Sequence, residues 1–349
     1  MLALLKTKFV ILETLFVLVF IAAALFIAGL IYQAAGTIRD QRRFPPPGRL
    51  IDIGARRLHL VEAGQGRPAV ILESGISASC LNWTEIRNRV SKFTRCASYD
   101  RAGLGWSDPA TTPRTTLRLV DELHALLQAA GVPPPYVLVG HSFGGLLVRG
   151  FAVRYADEVA GVVLLDPLCP EEWQPVSEAQ SRMLRRGVRL SRRGAVLARL
   201  GIVRLALMLL SAGSRRLPQL IAKVSSGRGE STISRIVGEV RKMPVETWPV
   251  IQAHWCQPKS FRGMARHLES LPESCAEAAP MRLPPSMPVT ILSASNSTAG
   301  ERAGREAMAL SSSRGRHIIA AESGHWIHLD EPELVVQAIW EMVERARSG

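Results

Sequence analysis

The sequence predicts an α/β fold in which helices flank a mostly parallel sheet, with a single membrane-spanning helix in front of it. Three observations predict this arrangement. Short solid runs of apolar residues recur along the chain, helix-like stretches separate them, and one long segment near the N-terminus carries no charge. Solid apolar runs are typical of strands buried on both faces of a parallel sheet. The 349 residues allow two domains, or one large α/β domain with an insertion.

The uncharged N-terminal segment extends from Thr14 to Ile38, and its first part, residues 14–32, is almost wholly apolar. At about 1.5 Å per residue, a helix of this length can cross the roughly 30 Å of hydrocarbon in a bilayer. A cleaved signal peptide is the alternative, because lysines precede the run and small residues follow it, although the apolar core of a signal peptide is usually only about 7 to 15 residues long. We therefore expect residues 1–43 to form a single-pass anchor in the cell membrane. The flanking basic residues leave its orientation open.

A sheet core begins after the Pro-rich linker at 44–48, whose three prolines favour an extended spacer. Residues 50–53 and 57–61 flank a glycine turn and alternate in polarity, which predicts an antiparallel hairpin at a sheet edge. Later strands are predicted at 69–72, 97–100, 136–139, 161–165, 289–292 and 317–321. Helices are predicted at 117–130, 146–155 and 334–345, the last with a capping pattern at its start. The core therefore comprises residues 49–167 and 286–349.

Residues 168–285 interrupt this pattern without strand alternation, so we expect them to form a basic helical cap over one edge of the sheet. The segment 182–242 holds fifteen basic and two acidic residues, which accounts for the whole net charge of +13. Charge concentrated in this way favours contact with an anionic surface, such as lipid headgroups, although a solvated helix face has the same composition. No nucleic-acid recognition motif accompanies it, so nucleic acid is not an expected partner.

The strand at 136–139 leads into Gly140-His141-Ser142-Phe143-Gly144 and then into a helix, which is the setting of a G-x-S-x-G nucleophile elbow. Glycines are needed on both sides because the turn is tight and strained. A serine hydroxyl becomes a good nucleophile only when a base removes its proton. Of the eight histidines, His325 lies on the loop between the last strand and the last helix, where it can face the elbow. Ser142 and His325 are therefore the predicted nucleophile and base.

Four motifs follow one another along the chain. They are Gly75 after the strand at 69–72, the loop from Tyr99 through Asp100-Arg101-Ala102-Gly103 to Asp108, the elbow, and Ser323-Gly324-His325 followed by Asp330-Glu331-Pro332. Taken together and in this order, they resemble the α/β-hydrolase superfamily and identify the chain as a bacterial-type serine hydrolase. The resemblance covers about residues 48–349 except the insertion, which would be the family's variable cap. The family implies the order serine, acid, histidine along the chain.

The acid is where this sequence departs from the commonest family pattern. The strand at 289–292 is followed by no carboxylate before Glu301. Another branch of the fold places the acid at the end of the strand after the elbow helix, where this chain has Asp166. We expect Asp166 to be the acid, with Glu301, or Asn296 as a neutral residue, as the alternatives, and with a purely structural strand-end role for Asp166 also open. Asp100 and Asp108 are not expected in catalysis, because in similar proteins their loop is structural, with Arg101 and Asp100 tying it down.

The resemblance implies that Ser142 attacks an acyl carbonyl and that the backbone N–H groups of Phe143 and Ile76 bind the oxyanion. No cofactor or metal is expected, and the five cysteines form no C-x-x-C pair. The expected function is that of a serine esterase or lipase acting on lipophilic esters. An amidase, a thioesterase, a cofactor-free haloperoxidase and a catalytically poor binding or sensor protein remain open. Dehalogenases and epoxide hydrolases of this fold use an aspartate nucleophile, and position 142 is serine.

Overall fold

The computed structural model describes residues 2–211 and 242–348. The strands found in them are β1 (Arg49–Asp52), β2 (Arg57–Ala63), β3 (Ala69–Glu73), β4 (Cys96–Asp100), β5 (Tyr136–His141), β6 (Val159–Leu165), β7 (Val289–Ala294) and β8 (Gly315–Ala320). They form one sheet with the spatial order β1-β2-β4-β3-β5-β6-β7-β8. β1, β2 and β4 pair antiparallel, whereas all neighbours from β4 to β8 pair in parallel. The predicted mostly parallel sheet is confirmed, and its antiparallel hairpin lies at one edge.

Helices lie on both faces of this sheet and between β6 and β7. α2 and α11 cover one face, and α3, α4 and α9 cover the other. The helices of the described residues are α1 (Leu2–Arg43), α2 (Thr84–Val90), α3 (Thr116–Ala130), α4 (Gly144–Arg154), α5 (Glu178–Arg199), α6 (Ile202–Ser211), α7 (Trp248–Trp255), α8 (Pro258–Ala278), α9 (Ala299–Leu310), α10 (Ile327–Asp330) and α11 (Pro332–Ser348).

Each central strand is buried on both faces, which explains its solid apolar sequence. In β3, Val70 and Leu72 belong to the apolar cluster that contains Ile86 of α2 and Ile339 of α11. Ile71, between them, belongs to the cluster on the opposite face with residues of α3 and α4. Successive side chains of a strand alternate between the two faces of a sheet. A strand covered on both sides therefore needs apolar residues at every position, without the alternation of a half-exposed strand.

Helices α5 to α8 form a layer above the carboxyl ends of the strands, and we call these four helices the cap. α5 packs along α8, and their side chains Leu184 and Leu271 share an apolar cluster with Phe143 and Leu147 of the core. The arginines of α5 are exposed on the outer side of the cap. The second part of the basic segment, residues 212–241, lies outside the described residues. For α5, the predicted surface concentration of positive charge is thus observed.

The N-terminal helix α1 contains the span Thr7–Arg43, which is long and apolar enough to cross a bilayer. Its mean hydropathy reaches 2.9 over eighteen residues, and none of that window is buried in the protein. A signal sequence near the N-terminus passes the same test of length and composition. The Pro-rich linker then leads from the end of α1 into β1.

Candidate active site

The elbow between β5 and α4 holds Ser142 in a strained backbone conformation at the carboxyl end of the sheet. Ser142 has φ 54°, in the left-handed region that residues with a side chain rarely adopt. A Cβ on Gly140 would lie 2.7 Å from the Gly144 carbonyl oxygen, and one on Gly144 would lie 2.6 Å from the carbonyl oxygen of Glu73. The two flanking glycines are therefore required by close backbone approach, as the sequence pattern predicts. The Ser142 side chain remains partly exposed.

Asp166 and His325, 159 residues apart in sequence, are hydrogen-bonded. Asp166 directly follows β6, and His325 lies on the loop after β8. The carboxyl ends of parallel strands meet at one edge of the sheet, and this brings the two residues together. His325 Nδ1–H donates to Asp166 Oδ2 over 2.6 Å. Of the three residues considered for the acid, Asp166 is the one bonded to His325: Glu301 accepts a hydrogen bond from the Thr298 N–H at the start of α9, and Asn296 is exposed.

The second carboxylate oxygen of Asp166 has three donors, which anchor the side chain. The Ala294 N–H donates to Oδ1 over 3.0 Å, the Ser297 hydroxyl over 3.2 Å, and Arg305 Nη1 over 2.5 Å. Arg305 is 4% exposed. Burial alone would raise the pKa of Asp166, but the hydrogen bond from His325 and the positive charge of Arg305 outweigh it and hold this pKa below its ordinary value. Asp166 is therefore an ionised, fixed partner for the imidazole.

Arg305 and Ser297 did not emerge from the sequence. A signal for Arg305 exists, because it shares the buried face of α9 with Ala309, four residues on. An arginine on the apolar face of a short helix requires a buried anionic or carbonyl partner. In the structure that partner is Asp166, and the Arg305 Nε–H also donates to the carbonyl oxygen of Pro167 over 3.2 Å.

His141, the residue before Ser142, is in contact with His325. The His141 ring centroid is 4.7 Å from that of His325, and the His141 Nε2–H donates to the carbonyl oxygen of His325 over 2.8 Å. No hydrogen bond joins the Ser142 hydroxyl to His325 in residues 2–211 and 242–348. Catalytic hydrogen bonds of this type often tighten only when a substrate binds. Burial lowers the pKa of His141 well below its usual value and that of His328 to about 3, so both rings beside His325 are neutral.

Two backbone N–H groups next to the elbow, those of Phe143 and Ile76, have no acceptor among the described residues. Phe143 stands at the N-terminal end of α4, where the helix dipole is positive. Ile76 follows Gly75, and a Cβ on Gly75 would lie 3.2 Å from His141 Nδ1. A side chain at position 75 would therefore crowd the His141 ring, and glycine lets the Ile76 loop approach the elbow without displacing it. Backbone N–H groups without an acceptor beside a nucleophile are the groups from which an oxyanion hole is built.

Arg101 holds the peptide unit that carries the Ile76 N–H. Its guanidinium donates to the carbonyl oxygens of Ser74 and Gly75 and pairs with buried Glu73. In a trans peptide the C=O and N–H point in opposite directions. Fixing the Gly75 carbonyl toward Arg101 thus orients the Ile76 N–H away from it. Arg101 and Asp100 both anchor this loop, as expected, and they do so through separate partners, Glu73 for Arg101 and His59 for Asp100.

Asp100 supports its own loop from the inside. Its carboxylate accepts hydrogen bonds from His59 Nδ1 over 2.8 Å, from the Cys80 N–H over 2.8 Å and from the Trp106 N–H over 3.1 Å. Burial opposes ionisation, yet these bonds lower the pKa of Asp100 to about 2. His59, Cys80 and Asp100 offer three metal-ligand atoms within 4.8 Å of one another. Burial raises the pKa of the Cys80 thiol well above its usual value, so the thiol beside Asp100 is protonated.

A small cavity of about 60 Å³ adjoins the Ile76 loop under the cap. One wall is the turn at 77–79, and the opposite wall is α7, with Ile251, His254 and Trp255. Met243 and Leu104 complete the apolar part of the lining. The cavity thus lies between the turn at 77–79, which follows Ile76, and the first cap helix after residue 242.

This combination of fold and site matches a known family. Residues 68–332, well over half of the chain, match the family of the alpha/beta hydrolase fold. The chain belongs to this family. The resemblance stated from the sequence motifs is therefore confirmed at the level of the α/β-hydrolase fold.

Individual relatives match over part of their length. Lipase LipV of Mycobacterium tuberculosis is 34% identical over 128 residues, which are 36% of this chain and 48% of that protein. Uncharacterized protein YqjL of Bacillus subtilis is 35% identical over 104 residues, 30% of this chain and 41% of that protein. The chain thus spans less than two thirds of these curated relatives.

Solved structures show the same fold over most of the chain. A thermophilic esterase from Thermogutta terrifontis superposes with a TM-score of 0.55 at 22% identity, covering 83% of this chain and 94% of the esterase. An epoxide hydrolase from Vigna radiata superposes with a TM-score of 0.64 at 15% identity, covering 85% and 97%. At such identities the likeness establishes the architecture of the α/β-hydrolase family and nothing finer.

Proposed function

We propose that this α/β hydrolase is a serine hydrolase that cleaves carboxylic esters of lipophilic substrates. The observation that carries the proposal is the 2.6 Å hydrogen bond from His325 to ionised Asp166, next to a serine held in a strained elbow. The two unpaired N–H groups of Phe143 and Ile76 complete the set of groups that acyl transfer requires.

In the proposed mechanism, the Asp166 carboxylate accepts the Nδ1–H of His325 and so leaves the Nε2 lone pair free. Nε2 takes the proton of Ser142 as its hydroxyl oxygen attacks the substrate carbonyl carbon. The N–H groups of Phe143 and Ile76 bind the oxyanion of the tetrahedral intermediate. The imidazolium then gives its proton to the leaving alcohol, and water releases the acyl group by the same steps in reverse order.

Three observations support a lipophilic substrate. The cavity next to Ile76 has an apolar lining from Met243, Ile251 and Trp255. Two relatives act, by their names, on lipophilic molecules: lipase LipV, and a cis-3-alkyl-4-alkyloxetan-2-one decarboxylase of Xanthomonas campestris, 29% identical over 156 residues, 41% of this chain and 52% of that protein. Helix α1 supplies a segment that can cross a bilayer.

The alternatives are an amidase, a thioesterase or a cofactor-free haloperoxidase, which would use the same three side chains. A catalytically poor binding or sensor protein is the alternative from another class, open from the sequence because Asp166 had rivals as the acid. The hydrogen bond between His325 and Asp166 favours catalysis over it. Epoxide hydrolases share the architecture, but an aspartate nucleophile has no counterpart at position 142, where this chain has serine.

Labelling with a fluorophosphonate probe tests the nucleophile. We expect covalent modification of Ser142, and a fall of about 10⁴ or more in ester turnover for Ser142→Ala, because the attacking oxygen is removed. Ser311→Ala, an exposed serine at the end of α9, is the matched control and should keep both labelling and turnover. Equal turnover by Ser142→Ala and wild type would refute the proposal. Parallel assays with amide and thioester substrates of the same acyl group distinguish the alternatives.

We also propose that α1 anchors the enzyme in the cell membrane and that the arginines of α5 rest on anionic headgroups. Arg185, Arg189 and Arg193 lie on the exposed side of that helix. For the full chain in vesicles, hydrolysis of a bilayer-embedded ester should rise with the fraction of phosphatidylglycerol and fall with salt. Replacing the three arginines by glutamine should remove that dependence, and replacing them by lysine should retain it. A dependence unchanged in the glutamine variant would contradict the headgroup contact.

A further inference from the structure

Helix α1 changes its surroundings part-way along its length. Residues 7–28 are exposed on every side, whereas Gln33, Gly36 and Asp40 are buried against cap helices. Together with Gly29, these residues recur at every third or fourth position, so they lie on one face of the helix. At about 1.5 Å per residue, the uncharged exposed part, residues 14–28, is about 22 Å long, and residues 29–32 extend the apolar span to about 28 Å, close to the thickness of bilayer hydrocarbon. The rest of α1 belongs to the folded protein.

The buried face of α1 is tied to the cap by an ion pair and two further hydrogen bonds. Arg204 Nη1 of α6 donates to Asp40 Oδ2 over 2.6 Å, and the two side chains are 6% and 8% exposed. Arg204 Nε donates to Gln33 Oε1 over 3.1 Å. Gln33 Nε2 donates to the carbonyl oxygen of Cys256, at the end of α7, over 2.8 Å. These polar groups are buried and satisfy one another, as at a contact within a folded domain, and removing one partner would leave the other buried without its counter-charge.

Glycines set the register of the joint. A Cβ on Gly29 would lie 2.5 Å from the carbonyl oxygen of Leu200, and one on Gly36 would lie 2.5 Å from Arg204 Nε. Gly201, with φ 73°, makes the corner between α5 and α6, where a Cβ would lie 2.7 Å from the Tyr32 ring. A larger residue at position 29 would separate the two helices, and one at position 36 would displace the Arg204 side chain from the joint. The α5–α6 corner is therefore fixed at the level of residues 29–32 of α1.

The contact with residues 29–32 of α1 places the corner between α5 and α6 at the edge of the bilayer. The apolar span expected from sequence, residues 14–32, ends at the level where Gly201 contacts α1. The helix α6 that starts there exposes large apolar side chains, with Leu205 39%, Met208 48% and Leu210 46% exposed. Cleavage after Ala34-Ala35, where a signal peptide would end, would remove Gly29 and Gln33 from the joint. Residues of a removed signal sequence would not be built into the buried contacts of the mature fold.

We propose that α1 is retained in the mature protein and that its joint with the cap holds α6 in the bilayer interface, with lipid as the partner of its exposed apolar side chains. The inference rests on the membrane anchor of the proposed function but does not depend on its chemistry. Lipid is the occupant because the apolar face of α6 continues the exposed apolar surface of α1 without a break at Tyr32 and Met208, whose side chains are in contact. The arginines of α5 beside it suit the headgroup layer.

The joint also borders the cavity under the cap. Gln33 holds the end of α7, and α7 forms one wall of that cavity. Just after α1, the carbonyl oxygen of Phe44 accepts the indole N–H of Trp106 over 2.9 Å, and the Trp106 ring packs edge-on at 4.4 Å against His254 of α7. The proposed position of α6 therefore brings the α7 side of the cavity next to the bilayer interface. A lipophilic ester dissolved in the bilayer would enter the cap from this side.

The depth of α6 is measured with an environment-sensitive label. The five native cysteines are buried, so a fluorophore attaches to an introduced cysteine. In phosphatidylcholine vesicles, a nitrobenzoxadiazole label at Met208→Cys should be quenched by doxyl-labelled lipid. The same label at Gln337→Cys, exposed on α11, should not be quenched. Equal quenching at positions 208 and 337 would overturn the proposal, as would a mature chain from membranes whose mass shows cleavage after Ala35.

The joint itself is tested by a matched pair of variants. Gly36→Leu places a large side chain against Arg204, whereas Ala34→Leu adds the same bulk at an exposed position two residues away. Gly36→Leu should lose the quenching at position 208 and hydrolyse a bilayer-embedded ester about tenfold or more slowly, because access is misplaced. Turnover of a short water-soluble ester should change little, and Ala34→Leu should match wild type in all three measurements.

A second variant covers the case in which Gly36→Leu folds poorly. Asp40→Asn removes the charge of the joint while keeping its shape, and the same selective loss is expected. An equal loss with both esters in Asp40→Asn, or no loss with either, would overturn the proposal. If the proposed chemistry is wrong, the result is different: Ser142 is not labelled and no ester is hydrolysed, but the label at position 208 is still quenched by lipid. A water-exposed α6 in an active enzyme overturns the joint proposal alone.

Discussion

Replacing Asp166 by asparagine tests whether Asp166 is the acid that supports His325, because its two carboxylate oxygens have different hydrogen-bond partners. Asp166 Oδ1 accepts from the Ala294 N–H, the Ser297 hydroxyl and Arg305 Nη1, and Oδ2 accepts from His325 alone. An asparagine has one acceptor oxygen and one donor nitrogen. The three donors keep the amide oxygen on their side, so the amide NH₂ must face His325 Nδ1. Two donors cannot pair, and His325 is therefore forced into the tautomer with its proton on Nε2.

The magnitude follows from that tautomer. A protonated Nε2 cannot take the proton of Ser142, and the imidazolium has also lost its carboxylate partner. In serine hydrolases with this arrangement the equivalent change costs about 10⁴ in kcat, or about 5.5 kcal/mol. Turning the amide around would leave Arg305 and two other donors without their acceptor, at about 1 to 3 kcal/mol each, so rotation does not restore activity. We expect a fall of about 10⁴ in kcat for Asp166→Asn with little change in KM.

The assay is steady-state hydrolysis of a short soluble ester, with thermal unfolding to show that the variant folds. Glu301→Gln and Asn296→Ala are the controls, because these residues were the other acid candidates and neither contacts His325. Both should stay within about threefold of wild type, as is usual for surface changes away from the reacting groups. Activity of Asp166→Asn above about a tenth of wild type would refute the reasoning, since a wrong tautomer cannot support general-base catalysis.

Three further predictions test the supports of the site. Arg101→Lys keeps a positive charge for Glu73 but cannot also hold the Gly75 carbonyl. Because the Ile76 N–H is then displaced, kcat for the soluble ester should fall by about 10². An unchanged kcat would contradict the role of Arg101 in orienting the Ile76 peptide. Arg305→Met leaves Asp166 without its cation, so denaturant titration at pH 7 should show a loss of about 3 kcal/mol in the free energy of unfolding. The ionised Asp166 stabilises the fold only at a pH above its low pKa, so this loss of unfolding free energy should become smaller in acid. A loss that does not depend on pH would contradict the ion pair between Arg305 and Asp166. Burial lowers the pKa of His254 to about 4. Below about pH 6.5 the unfolded chain therefore binds a proton at this residue that the folded chain does not bind. As the pH falls from about 6.5 to 4, this difference should lower the free energy of unfolding by about 3 kcal/mol. His254→Gln should flatten that part of the pH–stability profile by the same amount, and an unchanged slope would show that the ring is solvated.

The strands were predictable because their signal is short in range. Strands β3, β5 and β7 are covered on both faces, and each therefore has an apolar residue at nearly every position. Their ends were less well defined: β6 starts at Val159, two residues before the predicted 161–165, and β8 starts at Gly315 rather than at His317. Strand ends depend on the register with neighbouring strands, which no local window of sequence contains.

Some residues of the candidate site were likewise predictable from local sequence, and others were not. Ser142 was predictable because a strained turn requires glycines at fixed spacing, and His325 because it follows the last strand. The acid was ambiguous, since Asp166, Asn296 and Glu301 all lie near carboxyl ends of adjacent strands. Their distance from His325 depends on the geometry of β6, β7 and β8 together. Arg305 and Arg101 were not assigned their partners, because a charged side chain does not show in sequence which carboxylate or carbonyl it meets.

By itself, the sequence determined the parallel sheet, the elbow with Ser142, the loop with His325 and the apolar character of α1. Each of these is recorded in neighbouring residues, as a period, a turn or a run. Only the tertiary structure decided that His325 contacts Asp166, that Arg101 orients the Ile76 peptide, and that Asp40 meets Arg204, 164 residues later. The physical reason is that a buried charge is stable only with a partner, and that partner is chosen by the packing of distant elements rather than by the chain around it.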